Sequence, residues 1–179
     1  FYGDRCVANG ISLTLNRGDR IALVGRNGCG KSSLLKLLIG QPIAHTGTLE
    51  IGSRLTVSYV PQDMSFLSGS ADDFAAESEI DITLFKTILR KLDFKRTQFT
   101  KDMSEFSMGQ KKKVLLARSL CQRANLYIWD EPLNYIDVIS RLQIETLILE
   151  YKPTMLFVEH DEAFVNDIAT KVCRISLNQ

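Results

Sequence analysis

A glycine-rich turn followed by lysine and serine is the stretch of this chain whose residue types and spacing could do chemistry. Residues 25–32 read G-x-x-x-x-G-K-S, between the apolar run 21–24 and the amphipathic run 34–39. This strand–loop–helix pattern predicts a phosphate-binding loop, because glycines let backbone N–H groups converge on an anion that a helix N-terminus also attracts. Lys31 is expected to reach the β- and γ-phosphates, and the Ser32 hydroxyl to bind Mg²⁺.

The loop therefore predicts a nucleotide site. Its expected contact residues are Asn27, Gly28, Cys29, Gly30, Lys31, Ser32 and Ser33. Cys29 lies beside a helix N-terminus, where a thiolate is stabilised, so its modification would block nucleotide binding. The alternative interpretation is that a small residue merely fits there. The chain has four scattered cysteines and lacks a C-x-x-C pair, which favours reduced thiols in a cytosolic protein over a zinc site.

A second candidate site follows the apolar run 126–129, which is typical of a strand buried on both faces. Asp130 and Glu131 come directly after that run. Ligands bind outside the carboxyl ends of parallel strands, so an acid here is expected beside the phosphate loop. Asp130 is predicted to hold Mg²⁺, and Glu131 to polarise the attacking water as a general base.

Composition and periodicity indicate how these residues are positioned. The chain has 179 residues, is 45% hydrophobic and 24% charged, and carries a formal net charge of +1, as expected of one globular domain. This balance argues neither for nor against nucleic acid or anionic membranes. The sequence contains neither a signal peptide nor an apolar run long enough to span a membrane. Because it begins with Phe1 rather than Met, we expect a segment of a longer protein.

Hydrophobic patterning predicts an α/β fold with a mostly parallel sheet. Strands are predicted at 11–15, 21–24, 48–52, 55–60, 126–129, 155–158 and 172–176. Helices are predicted after Lys31, from a cap at Asp81 to about 91, at 107–121, at 138–150 and at 162–168. Residues 65–80, which are polar and small, are predicted to be a loop. Lys111, Lys112 and Lys113 are predicted to form the solvated face of the 107–121 helix rather than an RNA contact.

A third motif, Phe106-Ser107-Met108-Gly109-Gln110, opens that helix. With the two motifs above, it makes the chain similar to the ATP-binding-cassette (ABC) ATPases, whose signature is Leu-Ser-Gly-Gly-Gln. Ser107, Gly109 and Gln110 are retained, whereas Phe106 and Met108 depart from the signature. The resemblance covers the whole chain. It implies one nucleotide-binding domain with a P-loop core, an antiparallel β subdomain and a helical subdomain at 65–106, with the signature helix continuing to about 121.

The resemblance also implies roles for single residues. Gln62 matches the glutamine that contacts Mg²⁺, and Asp137 the aspartate that communicates between two ATP sites. His160 matches the switch histidine at the γ-phosphate, and Tyr2 the aromatic residue that stacks on adenine. Each of these residues also has a structural interpretation that does not depend on the resemblance. Gln62 could be a turn residue and Asp137 a helix N-cap. His160 could be a structural histidine, and Tyr2 could belong to a frayed terminus. Phe1 is an alternative to Tyr2.

Within the family, residues 129–137 resemble the Asp-Glu-Pro-Thr-Asn-His-Leu-Asp segment of ABC-F proteins. Together with residues 106–110 and 157–161, they are similar to ABC-F ribosomal-protection proteins, which confer resistance to lincosamides, streptogramins A and pleuromutilins. The resemblance implies a cytoplasmic second cassette that binds ATP and Mg²⁺, closes against a partner cassette of the same chain, and acts on the ribosome and tRNA. The alternatives are a nucleotide-binding subunit of a membrane transporter and a non-hydrolysing clamp. Each cassette supplies half of each site, so slow hydrolysis is expected of one domain alone.

Overall fold

The computed structural model describes residues 10–175 and divides into two compact units. The first unit comprises the chain up to Tyr59, Ala124–Asp130 and the chain from Lys152 onward. The second comprises Val60–Arg123 and Glu131–Tyr151. The chain passes between the units at four points, one of which is the peptide bond between Asp130 and Glu131.

The first unit is built on a five-stranded sheet with the order β2-β3-β4-β1-β5. Its strands are β1 (Arg20–Val24), β2 (Val57–Val60), β3 (Leu126–Asp130), β4 (Met155–Val158) and β5 (Lys171–Arg174). β4 pairs in parallel with β1 and β3, and β1 pairs in parallel with β5, so that Leu156 lies opposite both Ile21 and Ile128. Because parallel strands end at the same edge, the loop after β1, Asp130 and the turn after β4 leave the sheet at that edge.

Continuous apolar runs produce the central strands of this sheet. Leu23, Ile128 and Leu156 are fully or almost fully buried, and the helix α1 (Lys31–Leu38) adds Leu35 to the same core. The helix α6 (Glu162–Ile168) is anchored by Phe164, whose ring lies edge-on to Phe157 with the ring centroids 5.6 Å apart. Strands buried on both faces are expected where helices cover a parallel sheet.

The second unit is helical. It contains α2 (Ala71–Glu77), α3 (Ile82–Lys91), α4 (Met108–Cys121), α5 (Val138–Tyr151) and two 3₁₀ turns at Arg96–Gln98 and Met103–Glu105. Asp81 caps α3 by accepting a hydrogen bond from the Leu84 N–H at 2.6 Å, and Ser107 forms a capping box with Gln110 at the start of α4. These caps satisfy N–H groups that the first turn of a helix leaves without partners.

The predicted fold class is confirmed in its parallel core and helices. The helices α1, α3, α4, α5 and α6 and the strands β1, β3 and β4 agree with the predicted segments within a few residues. The last strand begins at Lys171, one residue earlier than predicted, and ends at Arg174. The predicted end of that strand, residue 176, lies outside the described residues, as does Tyr2.

The prediction of a loop over residues 65–80 is wrong, because α2 lies within it. Ser70 caps this helix by accepting a hydrogen bond from the Asp73 N–H at 3.0 Å, and Asp73 in turn accepts one from the Ser70 hydroxyl at 2.7 Å. Ala71 and Ala75 are its buried residues, so the segment has little hydrophobic periodicity to detect. The Ser-x-x-Asp pattern of a capped helix was the available signal.

Two predicted strands are not formed. Residues 11–15 and 48–52 have no regular secondary structure, and of 55–60 only Val57–Val60 is a strand, which lies beside β3 in the main sheet. Leu49 and Ile51 are 38% and 48% exposed. Alternating apolar residues form a strand only when neighbouring strands provide backbone hydrogen bonds, and an isolated pair of strands has only marginal stability. Among the described residues, no helix is both long and apolar enough to cross a membrane.

We predict that Ile128→Ala destabilises the first unit by about 2–5 kcal/mol and Ile128→Val by about 0.5–1.5 kcal/mol, because truncation leaves a cavity in a closely packed core. Ile128 is fully buried, and the neighbouring Trp129, the single tryptophan, reports unfolding by fluorescence. In urea titrations the control Val172→Ala, at a side chain 48% exposed, should change stability by about 0.5 kcal/mol or less. Equal effects of both alanine variants would contradict this core assignment.

Candidate nucleotide site

The glycine-rich loop connects β1 to α1 and is shaped by close backbone approach. Gly30 occupies the N-cap position of α1 with a φ of 90°, in the left-handed region that glycine adopts without strain. A Cβ atom on Gly25 would lie 2.4 Å from the Ile175 carbonyl oxygen and 2.8 Å from the Cys29 Sγ atom. Glycine is therefore required at both positions for the loop to turn from the strand into the helix.

Lys31 points back into this loop. Its Nζ atom donates hydrogen bonds to the carbonyl oxygens of Gly25 at 2.8 Å and Arg26 at 3.1 Å, and the residue is 6% exposed. A cation held by neutral carbonyls at the start of a helix is suited to binding an anion, because phosphate oxygens form stronger, charge-assisted hydrogen bonds with it. Asn27 and Gly28 are exposed in the same loop, and Ser32 and Ser33 are half-buried in the first turn of α1.

Cys29 belongs to the core rather than to the accessible surface of the loop. It is 1% exposed and packs in the apolar cluster that contains Leu23 and Leu35. A thiol reacts readily only where it is accessible, so this burial favours the interpretation of a small residue that fits over that of a reactive thiol.

Asp130 ends β3 with its side chain buried, at 1% exposure. The burial of Tyr59 and the negative charge of the nearby Asp130 raise the pKa of Tyr59 to about 12. A carboxylate in a poorly hydrated position favours a neighbouring cation. Together with the Ser32 hydroxyl it offers the hard oxygen ligands that Mg²⁺ prefers, so the residues of this unit fit that ion.

The turn after β4 holds a second buried acid, which sequence reasoning did not single out. Glu159 is 4% exposed, and its Oε1 atom accepts hydrogen bonds from the backbone N–H groups of His160 at 2.7 Å and Asp161 at 3.3 Å. Asp161 caps α6 through the Phe164 N–H at 2.9 Å. His160 itself is exposed. This network fixes the backbone from which the imidazole projects.

In the second unit, Gln62 and Glu131 are brought together although they are far apart in sequence. The Gln62 Nε2 atom donates a hydrogen bond to the Glu131 Oε2 atom at 2.8 Å, and the Asn134 Nδ2 atom donates to the same oxygen at 2.5 Å. Glu131 has a φ of 50°, which is sparsely populated by residues other than glycine. Strained backbone of this kind concentrates at functional sites.

The signature segment begins α4 with a reciprocal cap. The Gln110 N–H donates to the Ser107 Oγ atom at 3.3 Å, and the Ser107 N–H donates to the Gln110 Oε1 atom at 3.0 Å. Gly109 approaches the turn after Glu131 so closely that a Cβ atom there would lie 2.5 Å from the Tyr135 carbonyl oxygen. Met108, one of the two departures from the signature, is 46% exposed.

The prediction that residues 111–113 form a solvated face is wrong for two of the three lysines. Lys112 is 1% exposed and donates to the Pro61 carbonyl oxygen at 3.2 Å, while Lys113 is 8% exposed and pairs with Asp137 at 2.6 Å. Both partners come from other segments of the same unit, so local sequence carries no signal for them. The two lysines connect α4 to the loops that hold Gln62 and Glu131.

Asp137 also acts as a helix cap, accepting hydrogen bonds from the Ser140 N–H and hydroxyl at 2.9 Å. Burial raises the pKa of Asp137, but the hydrogen bond from Lys113, the two from Ser140 and the charge of Lys113 outweigh it. The pKa of Asp137 therefore lies well below its usual range. The carboxylate stays ionised at neutral pH.

Comparison with known proteins identifies the class of protein to which this fold and loop belong. Residues 8–134 match the ABC transporter family, and the fold is that of an ABC nucleotide-binding domain. The chain belongs to the ABC transporter family.

Two relatives and one solved structure illustrate the similarity. YdiF of Bacillus subtilis is 37% identical over 173 residues, covering 93% of this chain and 26% of YdiF. ABC transporter F family member 2 of Arabidopsis thaliana is 29% identical over 180 residues, covering 97% of this chain and 26% of that protein. A crystal structure of the archaeal ribosomal stalk protein aP1 with the ribosome recycling factor aABCE1 aligns with a TM-score of 0.75 at 26% identity, covering 92% of this chain and 33% of that chain. The chain spans about a quarter of each of the two relatives.

We predict that Asp137→Asn lowers the stability of the fold and that this loss of stability depends on pH. The loss is about 1 kcal/mol at most, because the Asp137 side chain is 46% exposed. A carboxyl whose pKa is lowered on folding stabilises the fold above its ordinary pKa of about 3.9, and the contribution fades as the pH falls below that value. Asparagine keeps the cap, so the substitution isolates the charge. Urea titrations at about pH 7 and about pH 3.5 measure the difference in stability between the wild type and the variant. The ion-pair assignment would be contradicted if this difference did not shrink at the lower pH, or if the exposed control Asp167→Asn gave the same result.

Proposed function

We propose that this chain is an ATP-binding cassette that hydrolyses ATP together with a partner cassette. The observation that carries the proposal is the loop of residues 25–32, in which the buried ammonium group of Lys31 lies among loop carbonyls at the N-terminus of α1. A triphosphate is the ligand that such a loop accommodates in this family.

The contacts support a division of roles around the triphosphate. Asn27, Gly28, Cys29, Gly30 and Ser33 would face the phosphates through their backbone, since the Cys29 thiol is buried in the core, and Lys31 would bind the β- and γ-phosphates. Ser32 and Asp130 would hold Mg²⁺, which would neutralise phosphate charge, and Gln62 is proposed as a further ligand because it matches the glutamine of the family. The Gln62 amide suits this role chemically, because its nitrogen donates to Glu131 while its oxygen can act as a metal ligand.

Glu131 is the proposed general base and His160 the residue that contacts the γ-phosphate. A base must lie within hydrogen-bond reach of the attacking water, and the two amides that hold Glu131 restrict the positions its carboxylate can take. Ser107, Gly109 and Gln110 are proposed to complete the site of a partner cassette. Asp137, which pairs with Lys113 of the helix that these residues begin, is proposed to communicate between the two ATP sites. Tyr2 is proposed to stack on the adenine. One cassette then has half of each site, and closure depends on the γ-phosphate.

The longer protein is proposed to be of the ABC-F type, with this chain as its second cassette. The name of the Arabidopsis relative, ABC transporter F family member 2, supports the ABC-F type. The alignment with the archaeal ribosome recycling factor supports a ribosomal partner over a membrane transporter, and tRNA is proposed from the resemblance to ABC-F proteins. Ribosome protection against antibiotics is the narrower proposal, which rests on residues 106–110, 129–137 and 157–161. A cytoplasmic location follows from the ribosomal role. A non-hydrolysing clamp is disfavoured because both Glu131 and His160 are present.

We predict that this chain binds ATP with Mg²⁺ and that Lys31→Ala weakens binding about tenfold to hundredfold, the equivalent of losing charge-assisted hydrogen bonds of about 1.5–3 kcal/mol. Glu131→Gln should leave binding within about twofold, because the base acts on water rather than on the nucleotide. Isothermal titration calorimetry measures both. Lys36→Ala, on the same helix, is the matched control. Tight binding by Lys31→Ala, or rapid ATP turnover by a dilute monomer, would contradict the proposal.

We predict that the full-length protein carrying Glu131→Gln co-sediments with ribosomes in ATP, because the closed state persists when hydrolysis is blocked. Adding Lys31→Ala to that variant should abolish co-sedimentation by removing nucleotide binding. Sucrose-gradient centrifugation with ATP or ADP measures the effect. Ribosome binding that does not depend on the nucleotide, or recovery of the protein only with membranes, would overturn the ribosomal role. Neither result would contradict the proposed ATP site.

A further inference from the structure

Asn134 has no assigned role, yet its side chain makes the shorter of the two amide contacts to Glu131. Its Nδ2 atom lies 2.5 Å from the Glu131 Oε2 atom, against 2.8 Å for the Gln62 Nε2 atom. Both amides donate to one oxygen of one carboxylate. Hydrogen bonds to an ionised acceptor are about twice as strong as those between neutral groups, so the pair restricts the rotation of the carboxylate.

The backbone between the two residues explains why Asn134 can reach. Glu131 adopts a left-handed φ of 50°, Pro132 follows with its ring-restricted φ, and the Asn134 N–H returns to the Glu131 carbonyl oxygen at 3.4 Å. This turn presents a short side chain at position 134 directly to the carboxylate three residues earlier. An amide supplies a donor without adding charge.

The segments that hold both donors are themselves anchored to α4. Lys112 binds the carbonyl oxygen of Pro61, the residue before Gln62, at 3.2 Å. Lys113 binds Asp137, three residues after Asn134, at 2.6 Å. The position of the carboxylate is therefore set by a connected network rather than by one flexible side chain.

We infer that Asn134 is a positioning residue for ATP hydrolysis, orienting the Glu131 carboxylate toward the attacking water. The inference rests on the proposed function of Glu131 as the general base. A misplacement of about 1 Å in a reacting group costs about a hundredfold in rate. Asn134 affects the rate through that orientation and leaves nucleotide binding to the phosphate loop.

The contact itself is testable in this chain by NMR of the side-chain amides. Glu131→Ala removes the acceptor, so the side-chain amide resonances of Asn134 and Gln62 should shift and exchange faster with water. Asn125 is the internal control, because its side chain accepts a hydrogen bond from the Thr56 N–H at 3.0 Å in the other unit. Unchanged Asn134 resonances in Glu131→Ala would overturn the inference.

The function is testable by single-turnover ATP hydrolysis in the full-length protein. Asn134→Ala should lower the rate about tenfold to hundredfold with ATP affinity within about twofold. Asn134→Asp, which sets a like charge against Glu131, should lower it further. The control Asn166→Ala, at an exposed position on α6, should have no effect. Thermal melting confirms folding, and Asn134→Ser replaces any variant that fails to fold.

A double-mutant cycle separates positioning from a general structural effect. If Asn134 acts through Glu131, adding Asn134→Ala to Glu131→Gln should lower the residual rate by no more than about twofold. An equal loss in both backgrounds would overturn the inference. Wild-type turnover by Glu131→Gln alone would instead remove Glu131 as the base. An inactive Glu131→Gln with a fully active Asn134→Ala would remove only the role of Asn134.

Discussion

Charged groups withdrawn from water impose the constraint on which the candidate site depends. Lys31, Lys112 and Asp130 are 6%, 1% and 1% exposed. An isolated charge in a protein interior costs more than the entire stability of a domain, so such groups persist only with partners. Lys31 is held by the loop carbonyls and Lys112 by the Pro61 carbonyl. These contacts also order the loops, because a loop whose carbonyl oxygen binds a buried ammonium group loses conformational freedom.

Features that depend on neighbouring residues could be predicted from the sequence. The spacing of residues 25–32 identifies the loop, because the turn and the helix start lie within eight positions, although the close approach at Gly25 is to the distant Ile175 carbonyl oxygen. The caps at Asp81 and Ser107 follow from hydrogen bonds that span three residues. The continuous apolar run before Asp130 forms a strand, as predicted, and all of its residues except the half-buried Tyr127 are buried. In these cases the residues of one segment supply the signal.

Features that depend on distant partners could not be predicted. Three consecutive lysines are typical of a solvated helix face, and only the approach of Pro61 and Asp137 shows that Lys112 and Lys113 are buried. The strands predicted at 11–15 and 48–52 fail for the converse reason, since their alternation was present but neighbouring strands were not. The pair of amides that hydrogen-bond to Glu131 combines both cases, because Asn134 is close in sequence whereas Gln62 is 69 residues away.

Asp130 and Glu131 show how two adjacent carboxylates acquire different chemistry. Asp130 is buried at the end of a strand, an environment that favours a cation. The burial of Tyr59 and then the negative charge of Asp130 raise the pKa of Tyr59 to about 12. Glu131 leaves the strand with a left-handed φ, and two neutral amides hold one of its carboxylate oxygens in place. Environments that differ this much separate the roles of identical functional groups. The change of backbone conformation at Glu131 therefore separates two adjacent carboxylates, for which we propose the different roles of metal ligand and base.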